Sequence, residues 1–495
     1  MVKKRIALIS LNTKTREIPP LGLLYLGTAL KARGHEVLVL HQSIRAVEEI
    51  EREIDKFMPD LVGQSVFTGY ENANNIALSR RLKTKGYRIV WGNAHATLLP
   101  EAVLGEASID FVVLGEGEET LAELAETLDQ PDNYGRIKSL GYKDNGGRII
   151  INERRDFMDI KDWVIDWSLV NVEEYLVPYF SNRFERTLAI TTSRGCPYNC
   201  QFCYNLVFNK RRWRATSAEA IIANLKPLIE RYRIQAIRFL DDNFFVDRAR
   251  AFRIIEGLGI PYMAESRVEY VSKDFVDRLA RTGCQEIMFG FESGVDRILK
   301  DVVDKGSLAK DIERTFESFK GSGVMVTGSF IFGLPTETKE EFKESMRFIV
   351  KLLSINGHSG FSAGWFLPYP GTGLFERAKE LGFKPPETIE AWDTFDRWRD
   401  NYDMPWLAWD ATAARKYTRR TIQLLALAYK RNLPFLKKIL IFRLEHVFYF
   451  LPLDLMLLGY LRDHYMFYRG DNKLLQMLKK GLMGMAARTD AKRAS

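Results

Sequence analysis

The stretch SRGCPYNCQFCYN, residues 193–205, contains three of the four cysteines in this 495-residue chain. Cys196, Cys200 and Cys203 follow the spacing C-x3-C-x2-C, and a glycine precedes the first of them. Three thiols so close together indicate a metal centre more than packing or a disulfide framework. A structural zinc site requires four ligands, and the fourth would be Cys284 or a distant histidine. An iron–sulfur cluster on three cysteines leaves one iron open for a substrate or cofactor.

Short β-branched runs alternate with amphipathic helical segments from residue 187 onward. The six runs are TLAITTS, AIRFLDD, YMAESRV, EIMFGFES, VTGSFIFGLP and FSAGWFLPYPGT. This alternation predicts six parallel strands, each followed by a helix. A complete eight-fold barrel would need two more β-α units, so we expect an α/β fold with a partial (β/α)6 barrel. The three clustered cysteines follow its first strand.

Residues 5–128 show a second alternating pattern, with five β-α repeats of about 25 residues. It predicts a doubly wound, Rossmann-like parallel sheet that binds a ligand beyond the carboxyl ends of its strands. That rim contains residues 65–70, 92–95 and 115–118. The patterns divide the chain into a first domain, a linker, the barrel and a helical C-terminal region, at residues 1–135, 136–185, 186–385 and 386–495.

The cysteine spacing, in the loop after the first strand of a β-α barrel, resembles the radical S-adenosylmethionine (SAM) superfamily. The resemblance implies a [4Fe-4S] cluster on Cys196, Cys200 and Cys203, with SAM bound at the open iron. The implied SAM contacts are Phe202 at the adenine, Asp241 and Asp242 near the amino group, Arg267 at the carboxylate, Glu292 and Ser293 at the ribose or carboxylate, Gly333 beneath the adenine, and Pro368. Cys284 is expected to be a buried, small apolar residue.

Three N-terminal segments resemble the cobalamin-binding subfamily of these enzymes: residues 19–37, 91–104 and 110–124. The resemblance implies cobalamin at the rim of the first domain. The D-x-H-x-x-G motif of many cobalamin proteins is absent, which implies a displaced base and no protein histidine on the cobalt. The implied cobalamin contacts are Ser65, Phe67, Thr68, Gly69, Tyr70, Gly92, His95, Gly115, Glu116 and Gly117.

The combined resemblance implies a cobalamin-dependent radical SAM C-methyltransferase that acts on an unactivated carbon. The apolar and basic C-terminal region indicates that the substrate is a hydrophobic small molecule. No histidine or carboxylate stands out as a catalytic acid or base beyond the cofactors. One alternative is a radical cyclase or oxidase of the anaerobic magnesium-protoporphyrin monomethyl ester cyclase type. Another is a cobalamin-binding sensor without catalysis. We expect reduction by a flavodoxin- or ferredoxin-type electron donor.

The net charge of +8 is concentrated near the C-terminus, where residues 411–495 carry 17 Lys and Arg against 5 Asp and Glu. No RNA-binding motif accompanies these charges, so no nucleic-acid partner is expected. The apolar stretch at 447–461 is too short to span a membrane, because it has 15 residues and contains a proline and an aspartate. The few cysteines predict a cytoplasmic protein. The resemblance implies an anaerobic setting, and the basic C-terminal region predicts peripheral membrane contact.

Overall fold

The computed structural model of the protein describes residues 3–12, 17–43, 46–69, 71–179, 183–395 and 402–448. Within these residues, two seven-stranded sheets and a two-stranded ribbon form the β-structure. Helices cover both sheets, and further helices follow the second one. The predicted α/β fold is therefore confirmed.

The first sheet contains the five strands that the sequence predicts and a β-hairpin after them. Its elements are β1 (Arg5–Asn12), α1 (Leu21–Ala32), β2 (Glu36–Ser43), α2 (Val47–Phe57), β3 (Leu61–Ser65), α3 (Asn72–Thr84), β4 (Ile89–Gly92), α4 (Asn93–Leu98), α5 (Pro100–Gly105), β5 (Phe111–Val113), α6 (Glu118–Thr127), β6 (Leu140–Lys143) and β7 (Ile149–Ile151). The strand order is β2-β1-β3-β4-β5-β6-β7, with β1 to β5 parallel. This order reverses between β1 and β3, and the crevice at such a point is where doubly wound sheets bind ligands.

The second sheet contains six parallel strands in sequential order, as predicted, and one antiparallel edge strand. Its elements are β8 (Val177–Tyr179), β9 (Phe184–Ile190), the ribbon β10 (Ser193–Arg194), α7 (Asn205–Phe208), the ribbon partner β11 (Arg214–Ala215), α8 (Ala218–Tyr232), β12 (Ala236–Phe239), α9 (Arg248–Leu258), β13 (Tyr262–Ser266), α10 (Lys273–Arg281), β14 (Cys284–Glu292), α11 (Ala309–Phe319), β15 (Met325–Phe332), α12 (Lys339–Ile355), β16 (Ser359–Trp365) and α13 (Gly373–Glu380). The sheet is open between β8 and β16, which makes it a partial barrel. Cys284 is buried at the start of β14, as expected.

The segment that the sequence assigns to a linker contributes strands to both sheets. The turn at residues 144–148 closes the β6–β7 hairpin, where the Asp144 carboxylate accepts the backbone N–H groups of Gly146 and Arg148. Strand β8 then pairs antiparallel with β9 at the edge of the second sheet. The domain boundaries therefore stay predictions, and the linker is structured over much of its length.

After the barrel, the chain first returns to the first domain. Ile389 is part of the apolar core beside α2 and α3, and Trp392 lies against the His95 ring. The Asp393 carboxylate accepts the backbone N–H of Ala73 at 3.0 Å. We call residues 386–395 the return segment.

The helical region that follows contains α14 (Thr412–Lys430) and α15 (Pro434–His446). Helix α14 packs against β16, and α15 packs against α12 and α14. The predicted apolar stretch at 447–461 lies outside the described residues after Phe448. No helix among the described residues is both long and apolar enough to cross a membrane.

Candidate active site

A cavity of about 1080 Å³ lies between the two domains, and residues at the carboxyl ends of strands from both sheets line it. Ser65 and Gly92 line it at the ends of β3 and β4 of the first sheet. Thr191 and Asp242 line it after β9 and β12 of the second sheet. Both doubly wound sheets and β-α barrels place their ligands at this end of their strands. The cavity is therefore the candidate active site.

The cysteine-bearing loop, residues 191–216, leaves β9 and is closed at its base by the β10–β11 ribbon. Gly195 has a positive φ of +82°, and a Cβ at this position would collide with the Arg212 carbonyl oxygen. The Cys203 N–H donates to the Cys200 carbonyl oxygen at 2.9 Å, which closes a tight turn between the second and third cysteines. The backbone geometry of the loop therefore requires glycine in front of the first cysteine.

Replacing Gly195 by alanine tests this requirement. We expect Gly195→Ala to lose most of its iron and to be destabilised by at least about 2 kcal/mol, because the left-handed backbone and the collision add together. Gly259→Ala is the matched control, since Gly259 has a φ of +67° and would place its Cβ in open space. Iron per chain and urea unfolding of anaerobic samples measure both effects. Full iron content in Gly195→Ala would contradict this reading of the loop.

The three thiols differ in exposure, since Cys200 is buried while Cys196 and Cys203 are partly exposed. Burial raises the pKa of the Cys196 thiol, and it raises the pKa of the Cys203 thiol to about 12. Iron binding at these residues would therefore release protons. No three His, Cys, Asp or Glu side chains of the described residues converge on a single metal ion. A cubane makes a different demand, because each thiolate binds its own iron at a separate corner, and three thiols suit it chemically.

Two of the predicted SAM contacts, Phe202 and Asp242, line the cavity next to Cys203. The Asp242 side chain opens onto the cavity, accepts the Tyr204 hydroxyl at 3.2 Å, and has its pKa raised by the surrounding protein. Asp241 is fully buried instead, where it accepts the Thr192 N–H and hydroxyl. Asp241 thus fixes the start of the cysteine loop, and Asp242 faces the space beside it.

Arg267 lies beside the cysteine loop, although it does not line the cavity. Its Nη1 donates to the Cys200 Sγ at 3.5 Å, and its guanidinium stacks over the Tyr198 ring at 3.6 Å. Nη2 pairs with the Glu269 carboxylate at 2.6 Å. Arg267 therefore places a positive charge next to the second thiol, and its contact with a SAM carboxylate stays a prediction.

The remaining predicted SAM residues lie in the barrel wall. Glu292 forms a buried ion pair with Lys305 at 2.7 Å, and the Ser293 hydroxyl lies 3.2 Å from that of Ser345. Gly333 donates its backbone N–H to the Glu337 carboxylate at 2.5 Å, and burial raises the pKa of Glu337 to about 8. Pro368 is buried. The structure does not place these residues at the cavity surface, and their roles stay predictions.

Most of the predicted cobalamin contacts meet at the other side of the cavity. Those that line it are Ser65, Phe67, Thr68, Gly92, Gly115, Glu116 and Gly117. Gly69 does not line it, because its Cα faces the Phe395 carbonyl oxygen, which a Cβ would approach to 2.6 Å. Tyr70 lies outside the described residues.

An apolar arm of the cavity enters the first domain between its sheet and helices α1 and α6. We call it the apolar slot, and its walls are Leu8, Leu23, Leu26, Val90, Val113 and Leu121. Gly63 and Gly117 keep it open, because a Cβ at Gly63 would lie 3.0 Å from Leu8 and one at Gly117 would lie 3.1 Å from Leu26 and Val113. The slot suits a flat apolar group such as an aromatic base.

Glu116 uses its carboxylate to join the two domains. Its oxygens accept from Arg194 at 2.8 Å and from Arg214 at 2.6 and 2.7 Å, and Arg194 also pairs with Glu118 at 2.6 Å. Burial alone would raise the pKa of Glu116, but the two arginines outweigh it and lower that pKa. We call these four residues the arginine–glutamate network. It ties the loop after β5 to the residue two positions before the first cysteine, and both predicted cofactor sites are thereby held in a fixed relation.

Comparisons with known proteins agree with this geometry. Residues 9–125 match the family model of the B12 binding domain, and residues 190–349 match that of the radical SAM superfamily. An uncharacterized methyltransferase of Pyrococcus horikoshii is 34% identical over 375 residues, which cover 73% of this chain and 78% of that protein. The cytidylyl-2-hydroxyethylphosphonate methyltransferase of Streptomyces wedmorensis is 26% identical over 432 residues, with 74% and 79% covered.

The chain belongs to the cobalamin-dependent radical SAM methyltransferases. The fold also matches a solved structure of the radical SAM methyltransferase TsrM from Kitasatospora setae with cobalamin and a [4Fe-4S] cluster bound. That match has a TM-score of 0.66 at 18% identity and covers 90% of this chain and all of the other. The cofactors of this radical SAM enzyme are a [4Fe-4S] cluster, SAM and cobalamin.

The structure of this radical SAM enzyme adds cavity residues that the sequence reasoning missed. Glu265, at the end of β13, lines the cavity, and burial raises its pKa to about 7. Tyr204 and Phe208 line it after the third cysteine, with ring centroids 6.1 Å apart. Glu265 could have been predicted from its position near the end of the strand YMAESRV. The network partners Arg194 and Arg214 had no local signal, because their carboxylates come from another domain.

His95 of this enzyme lies behind Thr68 and does not line the cavity. Its side chain is completely buried, with Nδ1 3.3 Å from the Thr68 hydroxyl and its ring packed against Trp91 and Trp392. Burial lowers its pKa from 6.5 to about 4, so the ring is neutral at pH 7. The structure gives His95 a packing role, and its contact with cobalamin stays a prediction.

The lowered pKa of His95 predicts a loss of stability in mild acid. Above pH 6.5 the ring is neutral in both the folded and the unfolded state, so its full contribution to the free energy of unfolding is present. Between pH 6.5 and 4 the unfolded state binds a proton that the folded state excludes, which costs up to about 3 kcal/mol. The free energy of unfolding of the native protein, compared with His95→Gln at pH 7 and pH 4.5, isolates this share. Parallel pH profiles for the two proteins would contradict the prediction.

Proposed function

We propose that the enzyme transfers a methyl group to an unactivated carbon of an apolar small molecule held between its two domains. The observation that supports this most directly is the shared cavity. Cys203 of the cysteine loop lines one side, and Phe67 and Gly115 of the first domain line the other. A substrate in this space would lie within reach of both cofactor sites.

The side chains that face the cavity suit an apolar substrate. Phe67 of the first domain is 62% exposed and Tyr204 of the second is 41% exposed, although both line the cavity. Large aromatic side chains left open in a concave site bind apolar groups, and they exclude water from the reacting atoms. Tyr369 and Phe395 line the same space.

The chain itself needs to supply little proton transfer. When bound, the cluster and SAM supply hydrogen abstraction from carbon, and cobalamin carries the methyl group. Asp242 and Glu265 face the cavity from adjacent strand ends, and both have raised pKa values. Both carboxyl groups can hold a substrate by hydrogen bonds, and with a pKa of about 7 Glu265 does so without placing a full charge beside it at neutral pH.

The test is turnover by the protein reconstituted anaerobically with iron, sulfide and hydroxocobalamin, given SAM with an isotopically labelled methyl group and an extract of apolar metabolites. We expect S-adenosylhomocysteine, 5'-deoxyadenosine and a labelled product that gains one methyl group. A cyclised or oxidised product without label would favour the cyclase alternative. A protein that binds cobalamin and cleaves no SAM would favour the sensor.

We also propose that a flavodoxin- or ferredoxin-type protein reduces the cluster.

A further proposal is peripheral contact with an anionic membrane. It is supported by α15, where Phe435 and Phe442 are 69% and 50% exposed beside Lys437 and Lys438. We expect flotation with vesicles containing phosphatidylserine at low salt and release at high salt. Replacing both phenylalanines by serine should abolish flotation and leave SAM cleavage unchanged. Equal flotation of that variant would contradict the proposal.

A further inference from the structure

Arg154 carries a positive charge for which the described part of the chain supplies no partner. Its guanidinium makes no hydrogen bond, ion pair or ring contact with any described residue. It is nevertheless partly buried, and burial lowers its pKa. Charged side chains that leave water are ordinarily paired. An arginine held in this way indicates an anion that the described residues do not supply.

The neighbouring arginines show the usual arrangement. Arg148 of the β6–β7 hairpin pairs with Asp144 at 3.1 Å, and Arg155 pairs with the Glu123 carboxylate. Arg154 stands between these paired residues in sequence and pairs with no carboxylate from the part of the chain that the structure describes. The difference is one of placement, because only Arg154 of the three reaches the loop after β5.

The Arg154 guanidinium lies against Gly115 at the edge of the cavity. A Cβ at Gly115 would be 2.6 Å from Nη2 and 3.3 Å from Cζ of Arg154, so only glycine lets the guanidinium lie there. Arg154 does not itself line the cavity, but its guanidinium lies directly behind Gly115, which does, two residues before Gly117 at the apolar slot.

We propose that Arg154 binds the phosphodiester of the cobalamin nucleotide tail. The tail joins the corrin to an aromatic base through this phosphodiester, and the peripheral side chains of the corrin are neutral amides. If the base occupies the apolar slot, the phosphodiester lies at the mouth of the slot near Gly115, within reach of the Arg154 side chain that lies against that glycine. A guanidinium fork matches two phosphate oxygens in one plane.

The test compares two corrinoids that differ in the tail. Hydroxocobalamin and diaquacobinamide, which lacks the phosphodiester and base, are titrated by visible absorption into the full-length protein with its cluster reconstituted. We expect Arg154→Gln to weaken hydroxocobalamin binding about 10- to 100-fold, as for loss of a hydrogen bond to a charged group, and to change cobinamide binding by less than about 3-fold. Arg154→Lys should recover part of the loss. Arg148→Gln, in the hairpin just before Arg154, should change neither.

Each other outcome overturns the proposal. Unchanged hydroxocobalamin binding would show that Arg154 does not contact this cofactor. An equal loss with both corrinoids would assign Arg154 to the corrin or to the fold. A loss of SAM binding alone would assign it to the SAM carboxylate. Iron content and thermal unfolding confirm that each variant is folded, and the titrations need no turnover, so their result is independent of the reaction proposed above.

Discussion

Replacing Cys196, Cys200 or Cys203 by alanine, one at a time, is expected to abolish SAM cleavage, whereas Cys284→Ala is expected to retain it. A three-cysteine cluster has no spare ligand, so each single replacement leaves an iron without its thiolate. Iron content should fall from about four per chain toward zero. Cys284 is buried at the start of β14, where its thiol donates to the Glu286 carbonyl oxygen, and its loss should cost only packing.

Iron analysis, visible spectra and 5'-deoxyadenosine formation after chemical reduction measure these effects. A single-alanine variant of the loop that kept its iron and cleaved SAM would contradict the assignment of that cysteine. Loss of iron in Cys284→Ala with an unchanged thermal unfolding transition would make Cys284 a ligand. Bound zinc in the metal analysis, together with visible spectra that lack iron–sulfur absorption, would support the zinc alternative.

Glu116→Gln is expected to destabilise the protein by about 3 kcal/mol, toward the lower end for breaking a buried ion pair. The amide cannot neutralise Arg194 and Arg214, although Glu118 still pairs with Arg194. Urea unfolding of the anaerobic protein measures the change. Glu119→Gln is the matched control, because Glu119 pairs with Arg33 in a half-exposed position and its loss should cost less than about 1 kcal/mol.

Glu116→Gln should also disturb the coupling between SAM cleavage at the cluster and methyl transfer at the cobalamin site. With Glu116 uncharged, the loop after β5 and the cysteine loop lose a shared anchor. We expect more 5'-deoxyadenosine per methylated product than in the native enzyme, at unchanged iron content. Equal stability of Glu116→Gln and Glu119→Gln would contradict the role given to the arginine–glutamate network.

The parallel strands of both sheets and the helices between them could be predicted from the sequence, because each β-α repeat carries its own local pattern of apolar residues. The cysteines were equally predictable, since C-x3-C-x2-C is complete within a few residues. The short strands β6, β7 and β8 were not predictable, because they are three or four residues long and pair through contacts that no local pattern specifies.

The cavity wall was only partly predictable for the same reason. Strand-end position indicated Phe67, Gly115 and Asp242, which line the cavity. It also indicated Asp241 and His95, whose side chains point into the protein and are fully buried. Adjacent residues at a strand end face opposite ways, and sequence spacing does not say which one faces the ligand.

The return segment affects how this protein can be dissected. Ile389 completes the core of the first domain, and Asp393 bonds to the start of α3, although both follow the barrel in sequence. A recombinant fragment ending before residue 386 would leave that apolar surface open to water and favour aggregation. Chimeras that exchange substrate specificity between relatives should therefore carry residues 386–395 together with the N-terminal part, as one transplanted unit.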